Sequence, residues 1–131
     1  MIKLKLKGHY KHQGNIGPLE GIIEVNELNE FQGTINDKIS ISPEQSIKGK
    51  YIQENNISKL LIFKFHPKDN YANLFYEVEK QNDGKIIGEY HGKWKALGNK
   101  INQEGKFDEI LRKTNTNNYI MSDLAEINLS E

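Results

Sequence analysis

Apolar and polar residues alternate from the first positions of the chain. Isoleucine or leucine stands at positions 2, 4 and 6, and lysine stands at positions 3, 5 and 7. In an extended strand, alternate side chains point to opposite faces, so a period of two separates the apolar residues from the charged ones. The alternation predicts an antiparallel strand with one face in a core and the other in water.

Similar segments recur along the chain and are separated by polar turns. A series of short segments at regular spacing, with turn signals between them, is typical of an all-β sandwich or barrel. One of them, SKLLIFKFH, is apolar on both faces for part of its length, so we expect it to be covered on both sides. The six segments after the first are LEGIIEV, FQGTI, IKGKY, SKLLIFKFH, NLFYEVEK and KIIGEYHGKW, and the turns before and between them are QGNIGP, NELNE, SPEQ with its Pro43, QENN, PKDN and NDG.

The last part of the chain allows two interpretations. An eighth strand is expected between Ile101 and Leu111, although FDEILRK could equally form a helical turn. After the polar loop TNTNN, the tail SDLAEINL is predicted to be a short helix with Ser122 as its N-cap. A strand that begins at Tyr119 is the alternative for this tail.

Glycine recurs on the apolar face, two residues from an aromatic residue. Glycine weakens the interior of a strand, so its recurrence needs a reason. Strongly coiled sheets use glycine to bend into barrels, and small barrels alternate small and large inward side chains. The pattern predicts an all-β fold, a single antiparallel up-and-down β-barrel of about eight strands that occupies residues 1–131 as one domain, and it allows a short C-terminal helix. The pairs are Gly8 with Tyr10, Gly33 with Phe31, Gly49 with Tyr51, Gly88 with Tyr90 and Gly92 with Trp94.

The turn NDG fixes the expected register of one hairpin. A three-residue loop at 82–84 is preferred over a two-residue turn, which would set Glu77 opposite Tyr90 and mix charged with aromatic residues on one face. The three-residue loop needs a left-handed residue at its third position, which Gly84 supplies. It pairs Gln81 with Lys85, Val78 with Gly88, Tyr76 with Tyr90 and Leu74 with Gly92, and it leaves Glu77 opposite Glu89 and Phe75 opposite His91 on the outer face.

The inner face of this barrel carries amphipathic aromatic residues. A buried Tyr or Trp usually needs a partner for its polar group, so such residues either fill a polar-tipped core or line a pocket. We predict that they form a ligand-binding site, composed of Tyr10, Tyr51, Tyr76, Tyr90 and Trp94.

The segments GKYI and GEYHGKW give the chain a likeness to a known group of folds. Set in a meander of about eight strands, they resemble the calycin barrels, which comprise lipocalins, fatty-acid-binding proteins and the avidin family. The resemblance implies a barrel that encloses a small ligand. The segment GHY departs from the lipocalin pattern, because Tyr10 stands where lipocalins usually have Trp.

Composition narrows the classes of function. Lys and Arg total 18, as do Asp and Glu, so the net charge is zero, which argues against binding to nucleic acid or to an anionic membrane. With no cysteine, neither a disulfide nor a thiolate metal site can form. Because no apolar stretch has the length of a secretory signal or a membrane span, we expect a soluble cytoplasmic protein.

Candidate chemistry is sparse. His9 and His12 lie three residues apart and therefore on opposite faces of a strand, so they cannot bind one metal ion side by side. A single histidine could instead ligate a haem at the mouth of the barrel, and His12 is the best candidate on the inner face. Glu77 opposite Glu89 is a candidate acid pair, although a solvated outer face explains both residues. Without a catalytic motif, we expect neither an enzyme nor a bound metal or cofactor.

These observations favour non-covalent binding of a small apolar or amphipathic ligand in the barrel interior. The alternative is a protein-binding module, such as an inhibitor or immunity protein for a bacterial toxin, that acts through its outer surface. The lysine row of the first strand could be its docking surface, although such a row also solubilises a strand or protects an edge. It consists of Lys3, Lys5, Lys7 and Lys11. The pattern does not predict an oligomeric state.

Overall fold

Eight antiparallel strands form one closed barrel in the computed structural model, which describes residues 1–36, 44–67, 71–98, 100–101 and 103–131. Each strand pairs with the next along the chain, and the last strand pairs with the first. The all-β, up-and-down barrel that the sequence predicts is therefore confirmed. The elements are β1 (Ile2–His12), β2 (Asn15–Val25), β3 (Glu30–Asn36), β4 (Gln45–Glu54), β5 (Ile57–Phe65), β6 (Leu74–Gln81), β7 (Gly88–Leu97), α1 (Phe107–Lys113) and β8 (Tyr119–Ser130).

The inward side chains form one core that fills the middle of the barrel. Leu60, Val78 and Tyr90 have no exposed surface. No water-sized space adjoins these side chains, so the middle of the barrel is packed like other protein interiors. The other inward side chains buried in this core are Leu4, Leu6, Leu19, Ile23, Val25, Phe31, Ile35, Ile47, Tyr51, Ile62, Tyr76, Trp94, Ala96, Ala125, Ile127 and Leu129.

The inward glycines let strands and rings approach each other closely. A Cβ atom on Gly92 would collide with the carbonyl oxygen of Glu77 on the neighbouring strand, and Gly8, Gly21 and Gly33 meet neighbouring carbonyl groups in the same way. At Gly49 the ring of Phe31, its partner across β3 and β4, occupies the space of a side chain. These close approaches support the interpretation that glycine allows the sheet to coil tightly.

A second apolar cluster lies outside the barrel, between the sheet and α1. The rings of Phe63 and Phe107 lie 5.5 Å apart, and those of Phe63 and Phe75 lie 4.9 Å apart. Because Phe63 faces away from the barrel core, β5 is covered on both sides, as its sequence predicts. The other buried members of this cluster are Phe65, Leu97 and Ile110.

The last part of the chain follows the alternative interpretations. No strand forms among the described residues between Ile101 and Leu111, where the helix α1 begins at Phe107. The predicted tail helix is also wrong, because this segment is the strand β8, in which Ser122 donates a hydrogen bond to the carbonyl oxygen of Trp94. The short helix therefore precedes the last strand. Pairing of β8 with both β7 and β1 outweighs its local helix signal.

The hairpin of β6 and β7 is paired four positions away from the predicted register. Tyr76 lies opposite Trp94 instead of Tyr90, and Val78 lies opposite Gly92 instead of Gly88. Neither the three-residue nor the two-residue turn forms. On the outer face, Glu77 meets Lys93, and Phe75 meets Lys95, instead of the predicted Glu89 and His91. Because the shift is an even number of residues, each side chain keeps its predicted face.

A loop at residues 82–87 replaces the predicted tight turn and explains the shift. The side chain of Asn82 accepts a hydrogen bond from the Gly84 amide, and that of Asp83 accepts one from the Lys85 amide, each at 3.0 Å. Gly84 has a φ of 78°, the left-handed conformation expected of it. Ile86 packs against the barrel core, so the loop uses residues that the prediction had placed in the strand.

The remaining turns agree with the sequence in part. The QGNIGP turn is shorter than predicted, because β2 already begins at Asn15 and only positions 13 and 14 form the turn. The chain turns at positions 55 and 56 within QENN. The predicted break at Pro43 and most of the PKDN turn lie outside the described residues.

Candidate functional site

One end of the barrel is closed by the 82–87 loop. The Tyr51 hydroxyl donates a hydrogen bond to the carbonyl oxygen of Lys85 at 3.1 Å, and the Tyr90 hydroxyl donates one to that of Ile86. The Tyr51 oxygen also lies 3.2 Å from the Ser58 hydroxyl. Burial raises the pKa of Tyr90 above its ordinary value. Both tyrosines thus fasten the loop over this end of the barrel, which we call the closed end.

An aromatic group formed by Tyr10, His12 and Trp94 lies at the opposite end of the barrel, which we call the aromatic end. The Trp94 indole nitrogen donates a hydrogen bond to the carbonyl oxygen of Lys11 at 2.7 Å. The Tyr10 ring meets the Trp94 ring edge-to-face, with centroids 6.4 Å apart, and the His12 ring lies 5.8 Å from it. Trp94 is buried, whereas Tyr10 and His12 are half-buried.

The five predicted ligand-binding residues face inward but do not form one site. Tyr51 and Tyr90 belong to the closed end, and Tyr10 and Trp94 belong to the aromatic end. Tyr76 lies opposite Trp94 across β6 and β7 and is 1% exposed within the core. Of the five residues, Tyr10 therefore offers the accessible ring surface that a ligand needs.

A cluster of two histidines and two glutamates lies on the outer face of β1, β8 and β7, and we call it the His–Glu cluster. His9 and His91 both lie opposite Glu126, because β8 runs between β1 and β7. The Nε2 atom of His9 is 3.2 Å from Oε2 of Glu126, and Nδ1 of His91 is 3.8 Å from the same oxygen. The Nε2 atom of His91 is 3.2 Å from Oε1 of Glu89.

The two carboxyl groups of this cluster are in hydrogen-bond contact. The hydrogen bond from Glu126 lowers the pKa of Glu89, and the same contact raises the pKa of Glu126. Of the two carboxyl groups, Glu126 is thus the one that keeps a proton to the higher pH. A groove of about 460 Å³ runs over the cluster and is lined by His9, Lys11, His91, Gly92, Lys93, Leu124, Ala125 and Glu126.

The sequence alone did not predict this cluster, because its pattern assigned Glu126 to a helix. It did predict an acid pair that includes Glu89, but the partner is Glu126 and not Glu77, which lies opposite Lys93. The available signal was the alternation of Ala125, Ile127 and Leu129 with polar residues, which is typical of a strand. The prediction that His9 and His12 lie on opposite faces is correct, because His9 contacts Glu126 outside and His12 contacts Trp94 at the aromatic end.

The lysine row of β1 faces outward, and Lys3 makes an ion pair with Glu24 at 3.8 Å. Because β1 pairs with both β2 and β8, it is an interior strand of a closed sheet. The row therefore does not protect a sheet edge.

Comparison with known proteins assigns no family. No protein-family model, no curated protein and no solved structure matches this chain. Among the residues that the structure describes, no helix has the length and apolar character that crossing a membrane requires.

Proposed function

We propose that this protein binds a small amphipathic ligand non-covalently at the aromatic end of its barrel. The observation that carries the proposal is the group of Tyr10, His12 and Trp94, which combines apolar ring faces with polar edges at one end of the fold. Ligand sites favour barrel mouths, where an apolar surface is accompanied by a few polar groups. The resemblance to calycin barrels, whose members enclose ligands, supports the same reading.

The packing of the core limits where such a ligand could bind. The middle of the barrel is filled, and the 82–87 loop is hydrogen-bonded across the closed end. A ligand that enters the interior must therefore start at the aromatic end. The Tyr10 ring lies over Gly17 on β2, in the space that a side chain at position 17 would fill. Displacement of this ring would open a path towards Trp94.

Fluorescence of Trp94 tests the proposal directly, because the chain contains a single Trp. We expect anilinonaphthalene sulfonate, an amphipathic aromatic probe, to bind saturably and to shift the Trp94 emission. Tyr10→Ala should weaken this binding, whereas Tyr51→Phe, which removes a hydroxyl at the closed end, should leave it unchanged. Equal weakening in both variants would place the ligand elsewhere, and the absence of saturable binding to the wild-type protein would contradict the proposal.

Exposed apolar residues on the outer surface favour a second candidate function, the binding of a protein partner. Ile120 and Leu124 on β8 are 70% and 51% exposed, and Ile22 on β2 is 56% exposed. A partner such as a toxin could cover them and leave the filled core undisturbed. Native mass spectrometry of the purified protein distinguishes the two functions, because a small ligand and a bound polypeptide add different masses. A polypeptide retained equally by an Ile120→Ser, Leu124→Ser variant would count against docking at β8.

A further inference from the structure

The His–Glu cluster has the composition and the placement of a metal site. Glu89, His91 and Glu126 each offer one potential ligand atom, and these atoms all lie within 4.8 Å of one another. Two of the residues come from β7 and the third from β8, so backbone pairing on a closed sheet holds their Cα atoms in place. The cluster lies on the outer face and is therefore separate from the aromatic end.

We propose that Glu89, His91 and Glu126 bind a divalent transition-metal ion, for which Zn²⁺ is the probe. Imidazole and carboxylate together suit Zn²⁺, whereas Mg²⁺ and Ca²⁺ take oxygen ligands only. Tetrahedral Zn²⁺ with bonds of about 2.0–2.2 Å places its ligand atoms about 3.3–3.6 Å apart. The three ligand atoms lie within 4.8 Å of one another, so the exposed side chains must rotate inward to reach this separation.

His9 completes the cluster as a positioning residue. Its Nε2 atom lies 3.2 Å from Oε2 of Glu126, and this contact holds the carboxylate beside His91. Hydrogen bonds from outside the ligand set orient metal-binding carboxylates and raise affinity. The side chains of Glu89 and His91 are 55% and 63% exposed, so an ion can enter from solvent and keeps at least one coordination position for water.

Calorimetric titration of metal-free protein with Zn²⁺ tests the proposal. We expect one ion per chain and no corresponding heat with Mg²⁺. His91→Ala and Glu126→Gln should each weaken Zn²⁺ binding by at least about tenfold, in line with the loss of a metal-site residue. The control variants are His66→Ala and Glu24→Gln, which remove a histidine and a carboxylate outside the cluster. Both should bind Zn²⁺ like the wild type. The visible absorption of bound Co²⁺ should likewise disappear in His91→Ala.

The role of His9 is tested by rescue. His9→Ala should weaken Zn²⁺ binding, and His9→Gln, whose amide can donate the same hydrogen bond to Glu126, should restore it. All variants lie on the outer surface, and circular dichroism of the metal-free proteins checks that the barrel is intact. Zn²⁺ affinity that is the same in wild type, His91→Ala and Glu126→Gln would overturn the proposal, as would several ions that bind without saturation.

Discussion

Single glycines decide how closely neighbouring strands of this barrel pack. A methyl group on Gly92 would overlap the backbone carbonyl of Glu77, which cannot move without disturbing the pairing of β6 and β7. The atoms nearest to a methyl group on Gly98, just beyond the end of β7, belong to the side chain of Asn118 at 3.2 Å, and that side chain can rotate away. The two positions therefore compare a fixed backbone obstacle with a movable side chain.

We predict that Gly92→Ala destabilises the protein by about 1–3 kcal/mol, the usual cost of forcing an additional methyl group into a packed site. Gly98→Ala should change the free energy of unfolding by less than about 0.5 kcal/mol, like most surface substitutions. Urea unfolding followed by circular dichroism measures both variants. Equal stabilities would show that the strands can separate at Gly92 without cost.

The buried hydroxyl of Tyr90 gives the stability a dependence on alkaline pH. In the unfolded chain the hydroxyl loses its proton near its ordinary pKa of 10.0, whereas burial raises the pKa in the barrel. The folded state then holds one more proton than the unfolded state, so stability is full below pH 10 and falls as the pH rises further.

We therefore predict that the wild type is more stable than Tyr90→Phe by about 1 kcal/mol, the usual contribution of a hydrogen bond. This difference in the free energy of unfolding should diminish above a pH of about 10. Unfolding by urea across a series of pH values measures the difference. Tyr119→Phe, which removes an exposed hydroxyl, is the control for general effects of alkali. An advantage that grows with pH would show that the Tyr90 phenolate is stabilised in the barrel.

At the scale of the element, α1 acts as a cover for the outer face of β5 and β6. Phe107 is 3% exposed and lies against Phe63. Two lysines of β4 hold the same region in place. Lys50 makes an ion pair with Asp108 at 3.1 Å, and Lys48 donates a hydrogen bond to the carbonyl oxygen of Gly105 at 2.8 Å. The helix is short, so these contacts and not its intrinsic propensity keep it folded.

We predict that Phe107→Ala releases α1 while the barrel remains closed. Amide hydrogen exchange should become faster in Phe107–Lys113, and the strands should keep their protection because they pair independently of the helix. Arg112→Ala, at an exposed position of the same helix, should leave the exchange rates of α1 unchanged. Loss of protection throughout β5 and β6 would mean that the helix supports the sheet itself.

The strands and loops also show why part of the fold can be predicted from the sequence. Except for β5 with its two apolar faces, the strands up to β7 alternate clearly, so their faces could be predicted. Even the wrong hairpin register kept every side chain on its correct face. The pairing partner of each residue could not be predicted, because the 82–87 loop is held by a hydrogen bond from Tyr51 on the distant strand β4 as well as by one from Tyr90 on β7. β8 was misassigned because its strand form depends on pairing with both β7 and β1, which local sequence does not reveal.

The same limit applies to the candidate sites. Inward aromatic residues were identified correctly, but their division between the two ends depends on where each strand begins and ends. The His–Glu cluster brings together residues from β1, β7 and β8, and His9 joins it because closure of the barrel pairs β1 with β8. Residues far apart in the chain carry no mutual signal in a single sequence.

At the scale of the whole molecule, closure links every strand to two neighbours, so the barrel should unfold as one unit. Trp94 on β7 is hydrogen-bonded to Lys11 on β1, and its fluorescence therefore reports the closure of the barrel. We predict that Trp94 fluorescence and far-ultraviolet circular dichroism give coincident urea transitions, as two-state unfolding requires. An earlier transition in fluorescence would reveal an open, still folded sheet.

Closure also depends on β8, which the chain reaches only after it has formed α1. The chain leaves β7 at Leu97, packs α1 on the outer face of β5 and β6, and then enters β8 through residues 114–118. A second copy of the protein offers the same vacant position between β7 and β1 while it refolds. At high protein concentration, two chains can therefore exchange their last strands through this hinge and form a domain-swapped dimer, in which each barrel is completed by the other molecule.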